Sequence, residues 1–355
     1  MHARKGTTPD EYRQVKTRKR VPRVRSSFFF LSAFSEGITP LVKEECLGRY
    51  EITLPADVEV ALSTPNSLSD DVKDPIRFSD GQTAPHSKFI YNGGFTITGS
   101  VPRRLFDERV APMNKSTQPK TGSQNASKFR PYPIAHSDAS GWIGKSSIGF
   151  DLYAGGRIFS YIETSYTGMN AAQQHVDSIT NNFSTRSLFE VPRGEGVCLP
   201  YSFIKDGGSD ANRQIGVTYR LVSHPDVTIF FLDEKALTDA PKLTSKQENE
   251  FVWGYEYGIG KRIKLHGPMP YRSVKLDGRE GIATSATITR DDDSTDYGYL
   301  VTVQGDPNAP VDTPNLLLLV ERNAKYAKGN PPVSAEELDQ MAKDIAASIK
   351  RRPTQ

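Results

Sequence analysis

The sequence predicts an α+β protein of two domains, each an antiparallel sheet packed against one amphipathic helix. Three observations predict it. The 355 residues amount to about two domains of roughly 150 each. Short alternating apolar segments, separated by turn residues, recur along the chain as antiparallel strands require. Each half closes on one segment of helical periodicity and opens with a Cys-Leu pair, Cys46-Leu47 and Cys198-Leu199, which suggests a weak internal duplication. The expected divisions are a basic arm over 1–35, an N-terminal α+β domain over 36–185 and a C-terminal one over 186–355.

The first element is Arg49–Leu54, where Tyr50, Ile52 and Leu54 alternate with Arg49, Glu51 and Thr53, giving a strand with one buried face. Polar stretches over Ser63–Pro85 and Pro112–Ser127 read as long surface loops. Strands are expected at Phe89–Ile97, Ser147–Tyr153 and Arg157–Tyr166, the last two joined through Ala154-Gly155-Gly156 as a hairpin. Met169, Ala172, Val176 and Ile179 then follow helical spacing to about Asn182. In the second half, Cys198–Ile204 is a short apolar run interrupted by Pro200, and strands follow at Ile215–Val222 and Val227–Leu232 across His224-Pro225-Asp226. Further strands are expected at Ala283–Arg290, Tyr299–Gln304 and Asn315–Glu321. The consecutive Leu316–Val320 run marks a central strand covered on both faces. Ser334 and Glu337 form a capping box before a helix striped by Leu338, Met341, Ile345 and Ile349, with Lys350, Arg351 and Arg352 in its last turn and Pro353 as its stop.

Charge is unevenly distributed. Residues 1–27 hold nine Lys or Arg against Asp10 and Glu11, a net of +7, which leaves the rest of a chain of overall charge +3 at −4. The arm admits three readings: a disordered or mis-started terminus, a degenerate export signal in which basic residues precede Phe28–Phe34, or a nucleic-acid arm. The longest apolar runs, Phe28–Leu31 and Leu316–Val320, fall far short of the roughly 20 residues of a membrane span.

No catalytic signature assembles in the sequence. Gly144-Lys145-Ser146 resembles the end of a phosphate-binding loop, but Ala139 stands where its first glycine belongs. The six histidines lack zinc-protease spacing, so neither a metal site nor a cofactor is expected. Asp291, Asp292, Asp293 and Asp296 lack the glycine and distal glutamate of a calcium loop. They read as a solvated hairpin loop whose carboxylates could meet a basic patch on a protein partner. Cys46 and Cys198 admit three readings: buried thiols, a reactive nucleophile, or a disulfide contributing on the order of 4–5 kcal/mol through the unfolded state.

Cys46-Leu47-Gly48-Arg49-Tyr50, followed by a strand and the Leu54-Pro55 turn, resembles the opening motif of the type VI secretion lipase-immunity family. Gly196-Val197-Cys198-Leu199 with Phe203-Ile204 resembles the start of that family's C-terminal domain. Asp277-Gly278-Arg279-Glu280-Gly281 resembles its turn before a strand pair, and Ser348, Arg351, Arg352 and Pro353 resemble its terminus. The resemblance, which runs from Cys46 to Pro353, implies a two-domain, claw-shaped periplasmic immunity protein. Such a protein binds a toxic (phospho)lipase effector, blocks substrate entry sterically and performs no catalysis, as bacterial competition between toxin and antitoxin requires. Cys46, Gly48, Arg49, Tyr50, Cys198, Gly278 and Arg279 are its structural motif residues here. Two alternatives belong to other classes: a nucleic-acid-associated protein using the arm, and an enzyme assembled from distant residues such as His175, His224 and Glu280.

Overall fold

The computed structural model describes residues 41–68, 74–115, 129–164, 168–209, 211–240, 243–257 and 262–353. The basic arm, the export-signal segment and the centre of the second polar loop lie outside them. All described residues fall within one compact unit, Pro40–Gln355.

The chain begins with the hairpin β1 (Val42–Leu47) and β2 (Tyr50–Pro55), then β3 (Val58–Val60). The expected burial of Tyr50, Ile52 and Leu54 holds, all three at 1% exposure or less. The strand expected at Phe89–Ile97 is two strands, β4 (Lys88–Tyr91) and β5 (Gly93–Ile97), because Asn92 between them takes φ 58, a left-handed conformation that asparagine tolerates. Helix α1 (Arg103–Lys115) follows and carries Pro112 inside it, where sequence reading starts a loop. Next come β6 (Arg130–Tyr132), β7 (Ala139–Ile143), β8 (Ser147–Ala154) and β9 (Arg157–Thr164), with Gly155 and Gly156 at φ 56 and 73 closing the expected hairpin. Helix α2 spans Met169–Asn182 and buries Ala172, Val176 and Ile179 as its spacing requires.

The second half opens with β10 (Phe183–Thr185), β11 (Gly196–Leu199) and β12 (Ser202–Lys205). The long hairpin β13 (Arg213–Leu221) and β14 (Val227–Glu234) leads to helix α3 (Ser245–Tyr257). After it come β15 (Ile263–Leu265), β16 (Arg272–Leu276), β17 (Arg279–Thr289), β18 (Thr295–Val303) and β19 (Asn315–Arg322). Helix α4 (Ala335–Ser348) starts at the expected box: Ser334 Oγ accepts the Glu337 N–H while the Glu337 carboxylate accepts the Ser334 N–H. It stops before the basic residues. Lys350 and Arg351 form β20, paired with β2, so they do not cap the helix dipole.

One antiparallel sheet runs β15-β17-β18-β19-β14-β13-β4-β5-β9-β8-β7-β6, with β16 beside β17 and β3 beside β13. It crosses the boundary expected at 185/186, since β13 pairs with both β4 and β3. A single apolar core accordingly contains Phe150 and Tyr161 together with Val301 and Leu318. β19 lies between β14 and β18 as the apolar run predicts. Leu316, Leu318 and Val320 join the main core, while Leu317 and Leu319 join a second cluster around Trp253 of α3. Two small sheets, β1-β2-β20 and β10-β12-β11, complete the architecture, which is α+β with antiparallel sheets.

Candidate functional site

The motif residues Cys46, Gly48, Arg49, Tyr50 and Cys198 converge. Cys46, at the end of β1, and Cys198, in β11, form a disulfide with Cα atoms 5.8 Å apart, within the span such a bridge requires. Beside it the Gly48 N–H donates to the Cys198 carbonyl at 2.9 Å, and the Cys198 N–H returns the bond at 2.8 Å. Gly48 has φ +56, and a Cβ there would lie 2.3 Å from Asp233 Oδ2, so only glycine fits. The same Oδ2 accepts the Arg49 N–H at 2.9 Å and Arg213 Nε–H at 2.9 Å.

Around this point three arginines meet three aspartates. The Arg49 guanidinium grips Asp206 with two bonds of 3.1 and 2.7 Å, Arg213 joins Asp233 to Asp312, and Arg351 also reaches Asp312, at 3.2 Å. Arg213 and Asp233 are almost fully buried, at 1% and 0% exposure. The set balances in charge, which such burial demands. Burial pushes the Asp312 carboxyl up, but Arg213, Arg351 and Arg49 outweigh it and hold it below the usual value. A second pair, Arg186 with Glu45, lies beneath the cystine: Arg186 donates to the carbonyls of Cys46 and Leu199, and burial raises Glu45 despite its partner. Among the described residues Arg352 has no acid in ion-pair contact. It donates to the carbonyls of Pro192, Gly194 and Gly196, and burial lowers it to about 10, still a cation at neutral pH.

Gly278 and Arg279 belong to the same construction. Asp277 and Gly278, at φ 51 and 72, make the two-residue turn between β16 and β17. The Asp277 carboxylate accepts the Arg351 N–H at 2.8 Å, tying that turn to the C-terminal strand, and Arg279 donates to the Pro314 carbonyl. Sequence reading picked out Arg49 but not its partners Asp206, Asp233 and Asp312, nor Arg213, which shares the last two. The available signal was the charge at each end of the apolar hairpin, Arg213 before Ile215 and Asp233 after Leu232.

The acidic group divides. Asp291, Asp292 and Asp293 sit at the tip of the β17–β18 hairpin, with Asp291 and Asp293 exposed and Arg262 3.8 and 3.7 Å from them. Hydrogen bonds from Ser294 hold the Asp292 carboxyl below its usual value. Asp296 does not face solvent. It is 4% exposed, pairs with Arg290 and accepts the Ala324 N–H at 2.7 Å, so it braces the hairpin from inside.

The residues considered for catalysis stay apart. His175 on α2 pairs with Glu163 of β9 at 2.9 Å, His224 lies in the β13–β14 turn, and Glu280 on β17 pairs with Lys275 at 3.2 Å. Gly144 closes the β7–β8 turn by donating its N–H to the Ser147 carbonyl at 2.7 Å. Among the described residues no group of three or more His, Cys, Asp or Glu is placed to hold a metal ion. None of their helices is long and apolar enough to cross a membrane.

Residues 190–354 match the family described as Tle cognate immunity protein 4 C-terminal domain. The matched region includes Cys198, Arg213, Asp233, Asp312, Arg351 and Arg352, so most of the charged core lies within it. Solved structures extend the likeness in fold beyond it. The immunity protein TplEi of the type VI secretion system from Pseudomonas aeruginosa, in complex with a peptide called "L", aligns with TM-score 0.60 at 15% identity over 88% of this chain and 99% of that one. Its apo structure aligns with TM-score 0.59 at 16% identity, over 88% and 98%. A chain of the Tle4–Tli4 complex aligns with TM-score 0.60 at 16% identity, again over 88% and 98%. No curated protein sequence matches significantly.

Proposed function

We propose that the chain is an immunity protein that binds a Tle-type lipase effector of the type VI secretion system and protects the producing cell by occluding it. The family match of residues 190–354 carries this reading, and the fold shared with TplEi and with the Tle4–Tli4 complex supports it over most of the chain. The protein acts by occupancy, across an interface that specific binding places above about 1,000 Å². Its charged side chains support this: Arg213 pairs with Asp233, and Arg186 and Arg352 donate to backbone carbonyls, so these buried groups are used to hold the fold together. The working compartment is the periplasm. The Cys46–Cys198 bridge supports that placement, because structural disulfides persist in oxidising compartments and not in a reducing cytosol. The test is co-expression with the lipase of the same strain directed to the periplasm. Growth should be restored when the immunity chain is exported and not when it is held in the cytosol; lysis despite export would refute the reading.

A further inference from the structure

Helix α3 presents two unlike faces. Its inner face is pinned to the sheet: the Trp253 indole N–H donates to Thr284 Oγ1 at 2.7 Å, the Thr284 hydroxyl donates to Asn249 at 2.7 Å, and Asn249 reaches the carbonyls of Ile282 and Leu300. With that face fixed, the outer face is preset. Phe251 and Tyr255, one turn apart, stack at 5.6 Å yet remain 57% and 75% exposed. Rigidly held aromatic side chains in the open are what interface anchors are made of.

Between this face and β15 runs a groove of about 910 Å³ lined by Leu243, Phe251, Tyr255, Ile263, Leu265 and Tyr271. Its far wall is the edge of the large sheet. Arg262 accepts from the Thr289 N–H and His266 donates to the Ser285 carbonyl, so the hydrogen-bonded positions facing β17 are 262, 264 and 266. The alternation of an antiparallel ladder then directs the N–H and C=O of Ile263 and Leu265 away from β17, toward an edge that no other strand among the described residues pairs with. The groove also has a charged end. Arg262, immediately before β15, stands 3.8 and 3.7 Å from the exposed Asp291 and Asp293 at the β17–β18 tip, where these two carboxylates and Asp292 outnumber its single charge, while the nearby Arg290 pairs with the buried Asp296.

We propose that this groove and edge receive an extended segment of the lipase effector, apolar along its middle and basic at the end that meets Asp291–Asp293, added as a strand beside β15. Main-chain bonds to Ile263 and Leu265 supply register, alternate apolar side chains fill the groove beside Phe251 and Tyr255, and the acidic tip selects the basic end. The inference rests on the immunity reading above and names the surface through which it works.

Binding of the purified lipase of the same strain tests it. The variant Phe251→Ala/Tyr255→Ala should bind about 100-fold more weakly with an unchanged melting temperature, since both side chains point away from the core. The variant Asp291→Lys/Asp293→Lys should associate about 10-fold more slowly at low salt, with the difference vanishing near 0.5 M salt. In the unaltered chain, hydrogen exchange at Ile263–Leu265 should slow when lipase is added, a readout that does not depend on any variant folding. Normal lipase binding by both variants, or no protection at Ile263–Leu265, would overturn the surface while leaving the immunity reading intact. A dimer of the unaltered chain that Phe251→Ala/Tyr255→Ala dissolves would assign the groove to a second copy and overturn the effector segment as its occupant. Failure of the unaltered chain to bind the lipase would overturn the immunity reading itself, and this inference with it.

Discussion

Replacing Cys46 and Cys198 together by alanine removes a cross-link between positions 152 residues apart. In the chain-entropy description, closing a loop of that length withdraws about 17 cal/mol/K from the unfolded ensemble, or about 5 kcal/mol at 25 °C. The native side of the comparison changes little. The sulfurs lie among Phe203 and Val191, and the Gly48–Cys198 backbone bonds and the Arg186 contacts do not depend on them. At an unfolding entropy of about 2.1 cal/mol/K per residue, some 310 residues give about 0.65 kcal/mol per degree, so the variant should melt about 8 °C lower. Calorimetry on the oxidised protein and the double variant measures the shift, and a thiol count after denaturation without reductant confirms the starting state. Free thiols in protein purified from the periplasm, or a shift under about 2 °C, would refute the reasoning.

Two further perturbations probe the charged core. Arg213→Ala leaves Asp233 at 0% exposure with the Arg49 N–H as its one remaining backbone donor, and should cost about 3–5 kcal/mol in urea unfolding; a loss below about 1 kcal/mol would show the pair is not buried as described. Asp312, whose carboxyl is held low in the folded state, contributes stability that is present above its unfolded value of about 3.9 and is lost as pH falls through the lower folded value. The unfolding free energy of Asp312→Asn should therefore fall less steeply than that of the unaltered chain on acidification below about pH 4, and parallel curves would contradict the assignment.

What was legible in the sequence is what depends on neighbours in the chain. Helices α2 and α4 bury wide stripes, Ala172-Val176-Ile179 and Leu338-Ala342-Ile345, and their periodicity was plain. Helices α1 and α3 bury narrow ones. Phe106 and Val110 carry the first, while the second sets a polar Asn249 beside Trp253, so neither gives a clear apolar period. One local signal for α3 was there to be read: Thr244 and Gln247 exchange hydrogen bonds in the manner of a capping box. β1 was hidden because Lys43-Glu44-Glu45 looks solvated, yet Glu45 is fully buried against Arg186, 141 positions away. Asp296 was grouped with Asp291–Asp293 for the same reason, since nothing in an acidic run announces which carboxylate will find Arg290 and the Ala324 N–H. The motif residues Cys46, Gly48 and Arg49 stood out by resemblance, but their physical role required Asp233, 184 positions from Arg49, to be seen beside them.

The buried arginines have a structural use. Edge strands such as β1 and β11, and irregular segments crossing a core, leave carbonyls that need donors. Arg186 serves Cys46 and Leu199, Arg352 serves Pro192, Gly194 and Gly196, Arg49 serves Ser209 and Arg322 serves Val333. Guanidinium groups suit this role, since five donors in a rigid fork can join several acceptors at once and stay charged at neutral pH. Together with the cystine they fix the connections between elements, which are the parts of an antiparallel fold most free to move. For a protein that acts by occupancy, that rigidity has a direct consequence: surface already held in its binding shape loses less entropy on association, so more of the contact energy appears as affinity. The interior charges therefore fix the connections around the cystine, as the Trp253–Thr284–Asn249 bonds fix α3 on the sheet.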